Sequence, residues 1–324
     1  MEQSLKKILR TFQKPNERKS SYYIFSTAIL GFSSITLSVI CYQYLWWVTF
    51  LMYPIIFLIL CRSVILMHDA AHNALYKKRW KNSLAGNLMS LLNFTPNEFF
   101  GYMHNMHHAT ASNLDKRHIN PEAMTLTKEE YLNASLSKKI SYRFMRSPIF
   151  RLIFAPLGML LVTRIPLPQL RLKEKIFTIS YNFLIMLIFY AAYKFNFLSG
   201  LIVGYLIPLF ACYVLVSIVF FLQHQFEDTY WINSNDWNNE DASLQGSSFL
   251  VFGSFLQKFF CNIGYHHIHH LNPLIPCYKL ADAHNKVKNK ILFKEVKLSQ
   301  LFVHMKGKLW DQKLQKLVSF SEIY

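Results

Sequence analysis

Apolar and charged positions in this chain fall in long separate blocks. No charged residue occurs between Lys19 and Arg62, a run of 42 residues. As α-helix, at ~1.5 Å per residue, that run measures about 60 Å, twice the ~30 Å hydrocarbon core of a bilayer. It predicts two spans, at about 21–41 and 44–67, with a polar turn near Gln43. Pro54, inside the second, predicts a kink. A further apolar block from Ile176 to Gln223, interrupted only by Lys194, predicts spans at about 176–193 and 195–223. Core helices of soluble proteins rarely run so far without charge. The shorter apolar stretches Leu84–Leu92 and Ile149–Val162 are broken by Pro or flanked by Arg, and read as interfacial helices.

Composition sharpens the picture. Among 324 residues, 52% are hydrophobic and 16% charged, with 35 Lys+Arg against 18 Asp+Glu and a formal net charge of +17. A typical soluble domain carries about 25% charged residues. Apolarity excludes disorder, and charge segregated around hydrocarbon-length runs excludes a nucleic-acid binder. Four spans place every Lys and Arg except Lys194 on one side, which the positive-inside rule makes cytoplasmic, with both termini. The N-terminus shows no cleavage site after a short apolar core, so the first span reads as an uncleaved anchor. The five cysteines are scattered without a C-x-x-C pair and read as small buried apolar side chains. The expected architecture is an all-α integral membrane protein, one domain over residues 1–324. Four transmembrane helices form two hairpins, under a cytoplasmic helical cap of residues 68–175 and 224–290. A basic tail, 291–324, follows.

Nine of the 13 histidines fall into a pattern. His68 and His72 form H-x-x-x-H; His104, His107 and His108 form H-x-x-H-H; His266, His269 and His270 repeat it; His224 closes the fourth span. Residues at i, i+3 and i+4 share a helix face, so each cluster offers imidazoles from one surface. All nine fall on the predicted cytoplasmic side. One ion takes three or four protein nitrogens, so nine serve two ions with open positions. Imidazole alone does not choose among iron, copper, zinc and nickel. Asp69 is placed to accept the second ring N–H of a ligating histidine. Asn262, four residues before His266, is expected on the same helical face, holding a metal-bound water. Glu227 and Asp228 are further candidate acceptors or helix-end caps. His267 lies about 100° from His266 on a helix; His118, His284 and His304 read as isolated. Trp46 and Trp47 read as an interfacial belt.

The boxes HDAAH (68–72), HNMHH (104–108) and HHIHH (266–270) resemble those of the integral-membrane fatty acid desaturases. The similarity runs through HHATASNLDKR, MTLTKEEY, QHQFEDTYW and NIGYHHIHHLNPLIPCYKL, over roughly residues 55–285, and is nearest to bacterial acyl-lipid desaturases of the Δ12 (omega-6) type. The resemblance implies a non-haem centre of two iron ions held by the nine histidines, with O2 as co-substrate. Two hydrogens leave adjacent methylenes to give a cis double bond in a membrane lipid acyl chain. Electrons then come from an external carrier, a ferredoxin or small haem cytochrome, for which a basic cytoplasmic face suits an acidic partner. The implied location is the bacterial inner membrane, with the active site cytoplasmic. Two departures stand out: Asn73 replaces the usual Gly after the first box, and His118 the usual Gly after LDKR. The alternatives are a hydroxylase or ketolase of a lipid, carotenoid or alkane on the same scaffold, and a four-span haem carrier or metal transporter. Haem ligands would sit within the spans, whereas these histidines lie beyond them.

Overall fold

The computed structural model describes Glu2–His118 and Thr125–Ile323, with side chains from Leu5 onward. Met124, the first residue of the MTLTKEEY stretch, lies outside the described residues, as do the neighbouring positions of the expected cap. The fold is mostly helical. Four helices are long and apolar enough to cross a membrane: Glu17–Tyr44, Trp46–Ala71, Leu172–Lys194 and Leu198–His224. Each expected span coincides with one of these helices. The polar turn is displaced: the first two helices part at Leu45 (φ −140, ψ 58), while Gln43 remains helical and donates to the Asn196 carbonyl at 2.7 Å. The expectation of an all-α chain is corrected by two small sheets. Ser248–Val251 pairs in parallel with Lys294–Lys297, and Leu309–Asp311 pairs antiparallel with Lys316–Val318, Leu309 opposite Val318.

The chain divides into two compact units. One comprises Lys14–Tyr102 and Pro156–Val216; the other Met1–Gln13, Met103–Ala155 and Ser217–Tyr324. In the first unit the spans approach closely where side chains are small. A Cβ on Gly200 would lie 2.5 Å from the Val39 carbonyl oxygen, and one on Gly204 would lie 2.9 Å from Ser38 Oγ. Ser38 Oγ uses that proximity to donate to the Gly204 carbonyl at 3.0 Å. This is the G-x-x-x-G arrangement that lets membrane helices touch along their backbones. The same segment, Ile202–Leu206, winds as a π-helical turn just before Pro208, which has no N–H to give to the ladder.

Helix Arg79–Asn93 ends inside this unit, and its last carbonyls need donors. Tyr181 Oη donates to the Ser90 carbonyl (2.6 Å), Tyr205 Oη to Leu92 (2.6 Å) and Tyr213 Oη to Asn93 (3.3 Å), and the Arg164 guanidinium donates to Phe94. These donors come from the third and fourth spans and the segment between Ala155–Val162 and Leu172–Lys194. They secure the left-handed turn at Phe94 (φ 48) from which helix Asn97–Thr110 departs.

In the other unit the C-terminal β-hairpin buries one face against earlier residues. Trp310 and Leu317 meet Leu114 and Trp231, and Leu309 and Val318 meet Tyr131 and Tyr142. The Leu317 N–H donates to the Glu227 carbonyl at 2.7 Å, and Arg146 Nη2 donates to Gln225 Oε1 at 2.9 Å. The residues after His224 are thus held on both sides.

Candidate metal centre

Three elements of the second unit converge their histidines. Helix Asn97–Thr110 carries His104, His107 and His108; the fourth span ends at His224; the short helix His266–Leu271 carries His266, His269 and His270. His107, His224, His266 and His270 are all buried, with one nitrogen of each within 4.8 Å of the others. Their Nε2 atoms follow one another at 3.1 Å (His107 to His224), 2.9 Å (His224 to His266) and 3.1 Å (His266 to His270). A second group adjoins them on the same two helices: His104 Nε2 to His108 Nε2 is 3.0 Å, and His108 Nε2 to His269 Nε2 is 3.1 Å. The i, i+3, i+4 spacing produces this division, because each box helix turns one or two rings towards each group.

The donor chemistry fits a cation. His224 Nδ1 faces the Gly246 carbonyl oxygen at 3.0 Å and must carry the proton there, which leaves Nε2 as a lone pair. That lone pair faces two further Nε2 atoms, and a chain of such contacts cannot be satisfied by N–H protons alone. Nitrogens bound to one ion at ~2.1 Å stand about 3.0 Å apart at right angles and about 3.4 Å apart in a tetrahedron. The observed spacings fall at the short end of this range. Burial, and then the neighbouring rings of His266, His224, His107 and His269, hold the His270 imidazolium pKa well below its ordinary value. The neutral ring is the ligating form.

The first box lies in the other unit. His68 is on the last turn of the second span and His72 caps it; both are buried, with ring centroids 5.0 Å apart. Asp69, fully buried, places Oδ1 3.3 Å from His68 Nδ1. Asn73 has φ 60, the left-handed conformation that glycine adopts at no cost and asparagine tolerates better than most. That departure is conformationally conservative. His118 is exposed, with Nδ1 3.1 Å from the Asp115 carbonyl.

Three other expectations change. Asn262 is not on a helix with His266: it sits in a left-handed turn (φ 60), the box helix starts at His266, and its amide donates to the Cys277 carbonyl at 3.2 Å. Glu227 turns outward, exposed, with Oε1 3.6 Å from Lys316 Nζ, and Asp228 pairs with Lys294 at 2.6 Å. The acceptor for His224 is the Gly246 carbonyl, which sequence reasoning missed because a backbone oxygen carries no residue signature. His284 is not isolated: its Nδ1 lies 3.0 Å from His267 Nε2. Burial, with the neighbouring imidazole, pushes His267 down to about 3; burial, with Lys288, pushes His284 down to about 4.

Membrane-length helices together with a buried histidine cluster fitting a dimetal site define a helical membrane metalloprotein. The comparisons take this further. The fatty acid desaturase family model matches residues 7–302, and the chain belongs to that family. A protein of Bacillus subtilis (strain 168) named fatty acid desaturase is 31% identical over 325 residues, covering 99% of this chain and 92% of its own. More distant are a Delta(9) fatty acid conjugase-like enzyme of Dimorphotheca sinuata (23% over 241 residues) and an sn-1 oleoyl-lipid 12-desaturase of Anabaena variabilis (22% over 232 residues). Each of these two matches 68% of this chain and 63% of its own length. The family places the chain among the desaturase oxidoreductases.

Proposed function

We propose that this protein is an O2-dependent acyl-lipid desaturase of a bacterial inner membrane, introducing a cis double bond with a centre of two iron ions. The observation that carries the reading is the buried four-imidazole group His107, His224, His266 and His270, beside His104, His108 and His269 on the same two helices. In this reading the nine histidines hold the two ions between them, and the first group holds one. Two spans entering the cytoplasmic side just before His68 and at His224 would deliver the ligands to one level. The relatives named as lipid desaturases support the substrate class.

The chemistry asks little acid–base work of the protein. A methylene has no acidic proton and no polar handle, so the chain's task is to hold, orient and exclude. A bound pair of ions would supply the oxidising power for loss of one hydrogen from each of two adjacent methylenes, with O2, two external electrons and two protons leaving as two waters. The imidazoles would hold the ions without adding charge, and the Gly246 carbonyl fixes the tautomer and plane of His224. Burial of the four rings keeps bulk water from the centre. Electrons come from a separate acidic carrier docking on the basic cytoplasmic face.

Expression in a host lacking desaturases, followed by gas chromatography with double-bond localisation, tests the reading. New monounsaturated acyl chains, abolished in the His107→Ala variant, are expected. Hydroxylated or keto products without new double bonds would move the protein to the alternative chemistry.

A further inference from the structure

The third-box helix, His266–Leu271, is six residues long and has no side-chain cap at its N-terminus. A helix this short has no stability of its own, so its rotation about its axis is set by what its other side chains touch. At ~100° per residue, His266, His269 and His270 occupy an arc of about 100°, and His267 lies about 60° outside it. His267 is completely buried and meets His284, 5% exposed, on helix Leu280–Val287 at 3.0 Å between Nε2 and Nδ1. Aromatic rings enclose the pair. His267 stacks on Phe293 (4.9 Å, 11° between planes), while Tyr265 and Phe249 lie over His284 at 4.9 and 5.3 Å. Phe249 and Tyr265 themselves stack at 4.5 Å and 9°. The contact is directional in a way that ring packing alone is not, because a hydrogen bond fixes distance and angle together.

We infer that His267 and His284 are positioning residues: their hydrogen bond sets the rotation of the third-box helix and thereby the placement of three metal-ligating imidazoles. The inference rests on the metal-centre reading given above. The lever is long. An imidazole Nε2 stands about 7 Å from its helix axis, so a 10° rotation displaces it by about 1.2 Å, against a tolerance of about 0.5 Å for a preorganised site. His267 itself contributes no ligand; it belongs to neither of the two groups that His266 and His270, and His269, enter.

The test uses the full chain in lipid nanodiscs, loaded with ferrous iron without O2 and challenged with a graded chelator. Iron per chain and the iron X-ray absorption edge are the readouts. Replacing both rings, in His267→Phe with His284→Phe, removes the hydrogen bond between them and keeps aromatic packing. Iron affinity is expected to fall at least about tenfold, the loss typical of outer partners of metal ligands, with the unfolding temperature retained. His267→Gln, which keeps an amide within reach of His284, is expected to hold iron within about twofold of wild type. Wild-type affinity and an unchanged edge in the double variant would overturn the inference. If the double variant does not fold, His284→Phe alone decides: an iron loss of about tenfold with the fold intact supports the role, and wild-type iron affinity refutes it. Failure of the wild-type chain to bind iron would instead sink the metal-centre reading.

Discussion

Gly246→Ala should weaken metal binding without altering any ligand. Gly246 caps helix Asn239–Gln245 with φ −91 and ψ −4, a conformation open to alanine, so the cost is purely steric. Its Cβ would stand 2.0 Å from Ser112 Oγ and 2.5 Å from the Ala242 carbonyl oxygen. The Ser112 hydroxyl can rotate away, but its Cβ, 3.0 Å off, and the Ala242 carbonyl cannot retreat. Ser112 is fixed at φ 60, with its carbonyl accepting from the Ile232 N–H at 3.1 Å, and the Ala242 carbonyl accepts from the Gly246 N–H at 3.1 Å. Relief therefore displaces residue 246 by about 1 Å, which carries its carbonyl from 3.0 Å to about 4 Å from His224 Nδ1, beyond hydrogen-bond range. Loss of such a partner costs about 10- to 100-fold in metal affinity, or about 1.4–2.7 kcal/mol. Anaerobic iron loading followed by chelator competition reads this directly. Ser112→Gly, which removes the nearer clash and suits φ 60, should recover part of the loss. Gly246→Ala binding iron as tightly as wild type would refute the claim that this carbonyl orients His224.

Other perturbations separate the metal site from the scaffold. His107→Ala should abolish desaturation while the chain still inserts in the membrane; full activity would show that the second box binds no metal. Gly200→Val places side-chain atoms where the Val39 carbonyl oxygen stands 2.5 Å from a Cβ, and should lower stability by about 1–3 kcal/mol, read as a depressed thermal-inactivation midpoint in detergent. Burial, with Arg146 and Arg151 nearby, pushes the Lys308 ammonium down to about 8. Because the unfolded chain holds that proton up to about pH 10.4, folding is penalised below pH 8 and stability rises between roughly pH 8 and 10. Lys308 is partly exposed, so the gain is on the order of 1 kcal/mol after screening. Inactivation half-lives at pH 7.5 and 9.5 should converge in Lys308→Met.

What the sequence made legible follows from which forces are local. A charge-free run must leave water wherever it lies, so all four spans were readable. Their ends were less so: the helix of the first span runs from Glu17 and not Ser21, because Asn16 Oδ1 accepts from the Lys19 N–H at 3.1 Å and starts the helix in polar sequence. Histidine spacing was readable for the same local reason, since i, i+3 and i+4 share a face whatever the fold. The contacts that orient those histidines join positions far apart in the chain. Gly246 reaches His224 across 22 positions, His284 reaches His267 across 17, and Ser248 pairs with Lys294 in a four-residue strand too short to show alternation. Asn262 failed for a local reason that had no marker. Cys261 and Asn262 are both left-handed (φ 50 and 60), and neither is a glycine. The pair ends the preceding turn and restarts the chain so that a helix can begin at His266. Had the helix extended back to Asn262, the Leu250 N–H would lose the Gly264 carbonyl it bonds at 2.8 Å. The strand beside the third box would then lack its tie to the histidine-bearing helix. Backbone bent against residue preference, immediately before a ligand cluster, is the feature a sequence conceals most completely.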